Sequence, residues 1–337
     1  MTAPDGETAP DGETAPDGES ARSTPAGYLE HLPDRDLTLL AGVATRLGAG
    51  RLEPGRLRVD PDLVERLLSD PRTFEAVLGA AHPADVPHPA GLPIPGDVTA
   101  LGDGRDPLLR ASPFLVFALA VHRAAADLRE AAFFGEWAGP RRRLPVFDAA
   151  SLRDFLAAPA RRLFLAELLA SYVHVASGSV LVQTRRGWRR QRFSELDLVR
   201  LAALLDVVPA ADRTGVYRRL GDLALFLTGV FPDHTAARAF APAQADRLLR
   251  LAGMARDEAT RASSPRDLGA PASGVDLLER LGSRWYRLAY ESAAVRTAPL
   301  RVVEQVAERF GQARRVLNLV TDRYLFPFRA RWFPGPP

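Results

Sequence analysis

The sequence predicts an all-α protein: a multi-helix, bundle-like body with one β-hairpin insertion, preceded by a disordered acidic arm. Three observations carry that expectation. Apolar residues recur at helical spacing in segment after segment between Asp34 and Tyr324. Helix-start signals, a first-turn proline or a capping serine, precede several of these segments. Only one stretch, 179–193, sets two β-prone runs around a glycine turn.

The arm comes first. Thr-Ala-Pro-Asp-Gly-Glu occurs three times in register from Thr2 to Glu19. Proline and glycine in every copy block a continuous helix, and nothing larger than threonine or proline is available to bury. Residues 1–26 therefore form the arm and 27–337 the body, with two halves of the body meeting near 133–150. Six acids and no basic side chain fall in the first 19 residues, so with +3 overall the remainder carries +9.

Within the body, Asp34 to Leu47 reads as a helix, as do the segment opening at Pro61 and a short one from Phe74 to Leu78. The pattern fails between Ala81 and Asp106, where prolines and glycines make a long loop. Ser112-Pro113 caps an apolar helix from Phe114 to about Ala132, and a second break falls at Gly139-Pro140-Arg141-Arg142-Arg143. Capping boxes are read at Ser151/Asp154, Ser194/Asp197 and Ser273/Asp276, with a kink or restart at Pro159. The apolar segment Thr214 to Phe231 implies a central buried helix, and one further helix from Pro299 to about Arg329 closes the chain.

Composition excludes whole chemistries. Lysine and cysteine are absent, so all 44 basic residues are arginine. No Schiff-base or P-loop lysine, cysteine nucleophile, thiolate metal site or disulfide can exist. A single asparagine, Asn318, and a single isoleucine, Ile94, match the coding bias of a G- and C-rich genome, a bland source for the same absences. No apolar run reaches the ~18 residues that span a bilayer, and the first residues do not read as a secretory signal, so a cytoplasmic location is expected.

The hairpin is the first candidate surface. Arg185, Arg186, Arg189, Arg190 and Arg192 surround Trp188 within eight residues. Arginine forks match phosphate geometry and an indole stacks on bases, which suits nucleic acid or another polyanion. The hairpin is also similar to the wing of winged-helix proteins, although no recognition helix accompanies it. The structural alternative is an edge strand whose arginines deter aggregation.

The second candidate is a polar pocket between C-terminal helices, built from Arg218, Asp222, Arg287, Asn318 and Asp322. Asp222 stands four residues after Arg218 and three after Arg219, the spacing of an ion pair within one helix. Structural ion pairs that fix helix register are the alternative. Glu167, Ser171 and His174 share a helix face, but a serine on a regular helix lacks the elbow and oxyanion donors of acyl transfer. His82, Asp85 and His88 lie in the proline-rich loop without any zinc-binding motif, so no metal or cofactor is expected.

The segments Tyr217 to Pro232 and Trp285 to Ser292 resemble stretches in uncharacterised helical bacterial proteins. That resemblance covers the C-terminal third, rests on no catalytic motif and implies a helical fold alone. The expected function is a non-catalytic cytoplasmic adaptor or scaffold that binds a protein partner. A polyanion binder using hairpin 179–193 is the alternative, and an enzyme or small-anion binder with the polar pocket comes third.

The hairpin reading has a direct test. Replacing Arg185, Arg186, Arg189, Arg190 and Arg192 by serine should abolish heparin binding at low salt while circular dichroism stays unchanged. The wild-type interaction should weaken steeply as salt rises, since each phosphate contact releases counterions. Equal retention of both proteins on heparin would reject the polyanion role.

Overall fold

Proline opens helix after helix in this chain, because its missing N–H costs nothing at the first helical position and its φ is already helical. The computed structural model describes residues 25–78, 111–140, 142–173, 177–184, 187–194, 196–237, 240–254 and 274–325, the side chains of hairpin 177–194 excepted. The arm up to residue 24 and the proline-rich loop 81–106 lie outside the described residues. Helix α1 covers 25–31. Then come α2 (Asp34–Arg46), α3 (Pro54–Val59), α4 (Pro61–Ser69), α5 (Pro71–Leu78) and α6 (Pro113–Glu130). Strands β1 (Phe134–Gly139) and β2 (Arg142–Val146) precede α7 (Ala149–Ala157) and α8 (Pro159–Ser171). Strands β3 (Ser177–Thr184) and β4 (Gly187–Ser194) lead to α9 (Leu198–Ala203), α10 (Arg213–Val230), α11 (Pro232–Ala237) and α12 (Pro242–Leu251). The last helices are α13 (Gly274–Ser292), α14 (Ala298–Glu308) and α15 (Phe310–Val320), followed by a π-helical turn, Thr321–Leu325.

Two helices are apolar on nearly every side, and the others cover them. In α6, every residue from Phe114 to His122 is buried. In α10, Leu220 to Val230 is buried apart from the half-buried Asp222. Helices α4, α5, α7 and α8 pack on α6, while α9, α13 and α15 pack on α10. Helix α15 also touches α6, and α8 touches α10, so the buried residues from Tyr28 to Leu325 form one core. The segment 133–150, where the sequence marks a boundary, packs against that same core through Phe134 and Ala149.

Close approach depends on glycines. A Cβ on Gly282 of α13 would lie 2.3 Å from the Phe310 ring and 2.9 Å from Ala224 Cβ. A Cβ on Gly229 of α10 would lie 2.7 Å from Leu317 Cβ. These gaps let α13 and α15 lie directly on α10.

Buried helix ends carry orphan backbone groups, and side chains satisfy them. At the start of α6, Leu115 N–H donates to the Ser112 hydroxyl at 3.2 Å. Asp36, itself buried, accepts from both the Ser112 N–H at 2.9 Å and the Ser112 hydroxyl. At the end of α10, Asn318 Nδ2 donates to the carbonyls of Thr228 at 3.1 Å and Gly229 at 2.5 Å.

The sequence expectations need four corrections. A second hairpin, β1–β2, stands where a break was read. Its β-prone residues are diluted by Gly135, Gly139 and Pro145, and a bulge falls between Trp137 and Gly139. Pro145 is tolerated because a two-stranded sheet has only edge strands. Helix α7 starts at Ala149, ahead of Ser151, whose hydroxyl donates to the Asp148 carboxylate at 2.6 Å. At α9 the cap is Asp197 itself, which accepts from Arg200 N–H, while Ser194 ends β4. The closing helix is two: Arg309 leaves helical geometry between α14 and α15, and Phe310 beyond it seats against Gly282.

The glycine contacts generate opposite outcomes at two positions. Gly282→Ala should destabilise the protein by about 1–3 kcal/mol in urea unfolding, since overpacking outweighs the gain in helix propensity. Gly42→Ala on α2, where nothing lies within 4 Å of the added Cβ, should stabilise it by about 0.5–1 kcal/mol.

Candidate functional site: a pinned hairpin with an exposed aromatic face

The residues singled out in the sequence go to different places. Arg185 and Arg186 lie outside the described residues; Trp188, Arg189, Arg190 and Arg192 are on β4. The β3–β4 register pairs Gln183 with Trp188, Val182 with Arg189, Leu181 with Arg190 and Ser179 with Arg192.

The five residues of the polar pocket are not brought to one site. Asp222 accepts a hydrogen bond from Tyr286 Oη at 2.8 Å, from α13 and not from its own helix. Burial raises the Asp222 pKa, and Arg218 is the leading influence that opposes the rise. The neighbouring Arg219 lies 4.1 Å above the Tyr172 ring and donates to the Ser171 hydroxyl. Arg287 is exposed. Asn318 is spent on the end of α10, and Asp322 pairs with Arg143 at 2.6 Å. Of the stripe on α8, Glu167 meets His31 at 3.0 Å, Ser171 donates to the Leu168 carbonyl, and His174 lies outside the described residues.

A buried polar relay gave no sequence signal. His122 sits in α6 with Tyr28 Oη 2.8 Å from Nε2 and Ser69 Oγ 2.9 Å from Nδ1. Burial drives its pKa down to about 3, so the ring is neutral, with one nitrogen donating and the other accepting. Tyr28 is fully buried and its phenol pKa rises by desolvation. An imidazole that cannot take a proton near neutrality is a poor general base, and the relay ties α1, α4 and α6 together.

The β1–β2 hairpin is different: it is held rigidly and presents apolar surface outward. Glu136 meets Arg315 Nε at 3.1 Å and Arg314 Nη2 at 3.8 Å on α15. Arg315 also reaches Asp148 at 2.9 Å and covers the buried Phe134 ring at 5.1 Å. Arg143 meets Asp322, and Trp137 Nε1 donates to Asp233 of α11 at 2.6 Å. These contacts fix both strands onto the body.

Strand alternation then decides what faces outward. Phe134, paired with Val146, turns inward toward α15, as does Glu136. Gly135 and its partner Pro145 take the opposite face, and Phe133 and Phe147 continue that face just beyond the ladder. All four are exposed. Phe133 is 46% and Phe147 77% accessible, yet their rings touch, with centroids 5.8 Å apart. Leu144, paired with Glu136 on the opposite face, is 42% accessible. Arg129, Arg142 and Arg153 are exposed as well, and Arg153 Nη1 donates to the Arg129 carbonyl. The sequence signal for this hairpin lies in the Phe, Trp and Val around Gly139, where Gly139-Pro140 reads locally as a break.

Among the described residues, no group of three or more histidines and carboxylates is placed to hold a metal ion, and no helix is long and apolar enough to cross a membrane. No family model matches the chain, and neither the curated proteins nor the solved structures contain a significant match to it.

The His122 relay predicts an acid response. The histidine pKa is depressed on folding, so its contribution is complete above the unfolded value of about 6.5 and is lost as pH falls toward 3. Over that window it should cost up to ~1.4 kcal/mol per pH unit. Asp36 and Asp222, whose pKa values are raised, act in the opposite sense, so the difference between wild type and His122→Gln isolates the histidine. Urea unfolding from pH 7 to 4 should give a flatter stability profile for the variant; parallel profiles would contradict the neutral buried ring.

Proposed function

We propose that this protein is a non-catalytic adaptor or scaffold, cytoplasmic as its cysteine-free sequence befits, that binds a protein partner through the outward face of the β1–β2 hairpin. The observation that carries the reading is the exposed Phe133–Phe147 pair on a hairpin fixed by ion pairs. Two large aromatic rings in contact with each other and with water are costly for a protein with no use for them. Aromatic side chains with arginine at the rim are the composition of energetically dominant interface residues. Because the contacts to α15 and α11 already order the strands, little entropy remains to be lost on binding.

Site-specific photo-crosslinking tests the proposal. A photoreactive phenylalanine analogue at Phe147 should form an adduct with one defined polypeptide in native extract, insensitive to nuclease and reduced by Phe133→Ser. The same analogue at Val59, which is 79% exposed on α3, should form none. Equal adducts from both positions, or adducts to nucleic acid alone, would overturn the adaptor reading.

A further inference from the structure

The outward face of the hairpin has a defined chemical character. Gly135 and Pro145 make a floor without bulky side chains, bounded on one side by Phe133 and Phe147 and on the other by Trp137 and Arg143. The surrounding charge is positive. Arg143 is matched by Asp322, and nearby Asp148 and Asp154 are matched by Arg315 and Arg309. Arg129, Arg142 and Arg153 are exposed, against two exposed acids, Glu130 and the Asp233 that accepts from Trp137. A floor of this shape admits an extended backbone, aromatic rings accept proline and alanine, and the arginines select for carboxylates.

The chain contains a segment of that chemistry. Thr2 to Glu19 carries three prolines, three alanines among its small residues, and six carboxylates without a basic side chain. We propose that this acidic repeat of the same molecule occupies the outward face of the β1–β2 hairpin and is displaced by the partner. The inference rests on the adaptor reading for the partner, but its own contact can be measured separately.

Reach permits the contact. Tyr28 of α1 is bonded to His122, and the hairpin begins just past the end of α6. At 1.5 Å per helical residue, His122 lies about 14 Å along the axis from residue 131. A chain of 24 residues spans at most roughly 80 Å when extended, so every copy of the repeat falls within range. Charge favours the same pairing, six negative charges against a remainder of +9.

The experiment uses the full chain, purified, with the photoreactive analogue at Phe147 and no partner present. After irradiation and trypsin digestion, the expected product joins the peptides Met1–Arg22 and Leu144–Arg153. Its yield should fall about tenfold in a full-length variant with Asp5, Asp11 and Asp17 changed to Asn and Glu7, Glu13 and Glu19 changed to Gln. High salt should lower it in the same way, since exposed charges are screened. A 1:1 mixture of isotopically light and heavy protein identifies the source. Adducts within single molecules support the proposal, whereas freely mixed masses assign the contact to a second copy and overturn it. No adduct with Met1–Arg22, or an equal yield from the neutralised arm, also overturns it, whatever partner is captured in extract. An arm adduct without any captured partner would leave this inference standing and remove the adaptor reading.

Discussion

The ends of two apolar helices impose the constraint on which this structure depends. A helix buried on all sides cannot hand its terminal N–H and C=O groups to water, and each one left unpaired costs about 1–3 kcal/mol. Asp36 and Ser112 meet that requirement where α6 begins, and Asn318 meets it where α10 ends. The partners come from elsewhere in the chain: Asp36 is 76 residues from Ser112, and Asn318 is 90 from Thr228. Satisfying the backbone therefore also fixes how α2 lies on α6 and how α15 lies on α10. Gly229 completes the arrangement by letting Leu317 reach the helix surface.

The same helix that closes α10 on one side positions the surface hairpin on the other. Arg314 of α15 donates to Asn318 Oδ1 at 3.2 Å and to Glu279 of α13 at 2.7 Å, and it lies 3.8 Å from Glu136 of β1. Arg315 holds Glu136 and Asp148 at the two ends of the hairpin segment. Exposed ion pairs contribute little singly, but these two guanidinium groups are largely shielded and each serves more than one carboxylate. The π-helical turn after α15 extends the network by bringing Tyr324 Oη to Asp127 at 2.5 Å and Asp322 to Arg143.

The sequence was most legible where one local signal decided the outcome. Apolar periodicity located α2, α10 and α13, and Ser112-Pro113 marked the start of α6. Glycine-centred alternation located β3 and β4. It was misleading where a second residue competed for the same role. Asp148 takes the N-cap position of α7 ahead of Ser151, and Asp197 caps α9 in place of Ser194. The β1–β2 hairpin has weak local propensity and owes its position to arginines more than 165 residues later, which no window along the chain can register. Arg314, Asn318 and Asp322 stand four residues apart in the chain, but that spacing does not give their destinations. Each member is engaged by a different element, so spacing along the helix says nothing of a shared pocket.

The position of α15 in the chain also sets an order of events during synthesis. When α10 has left the ribosome, the carbonyls of Thr228 and Gly229 still lack Asn318, and the β1–β2 hairpin still lacks Arg314, Arg315 and Asp322. Contacts this distant in sequence cannot form until their last member has emerged. The apolar surfaces of α6 and α10 thus wait, partly uncovered, until α15 has emerged. A nascent chain stalled before residue 310 displays the most adhesive surface this protein possesses, at the stage when it is least able to bury it.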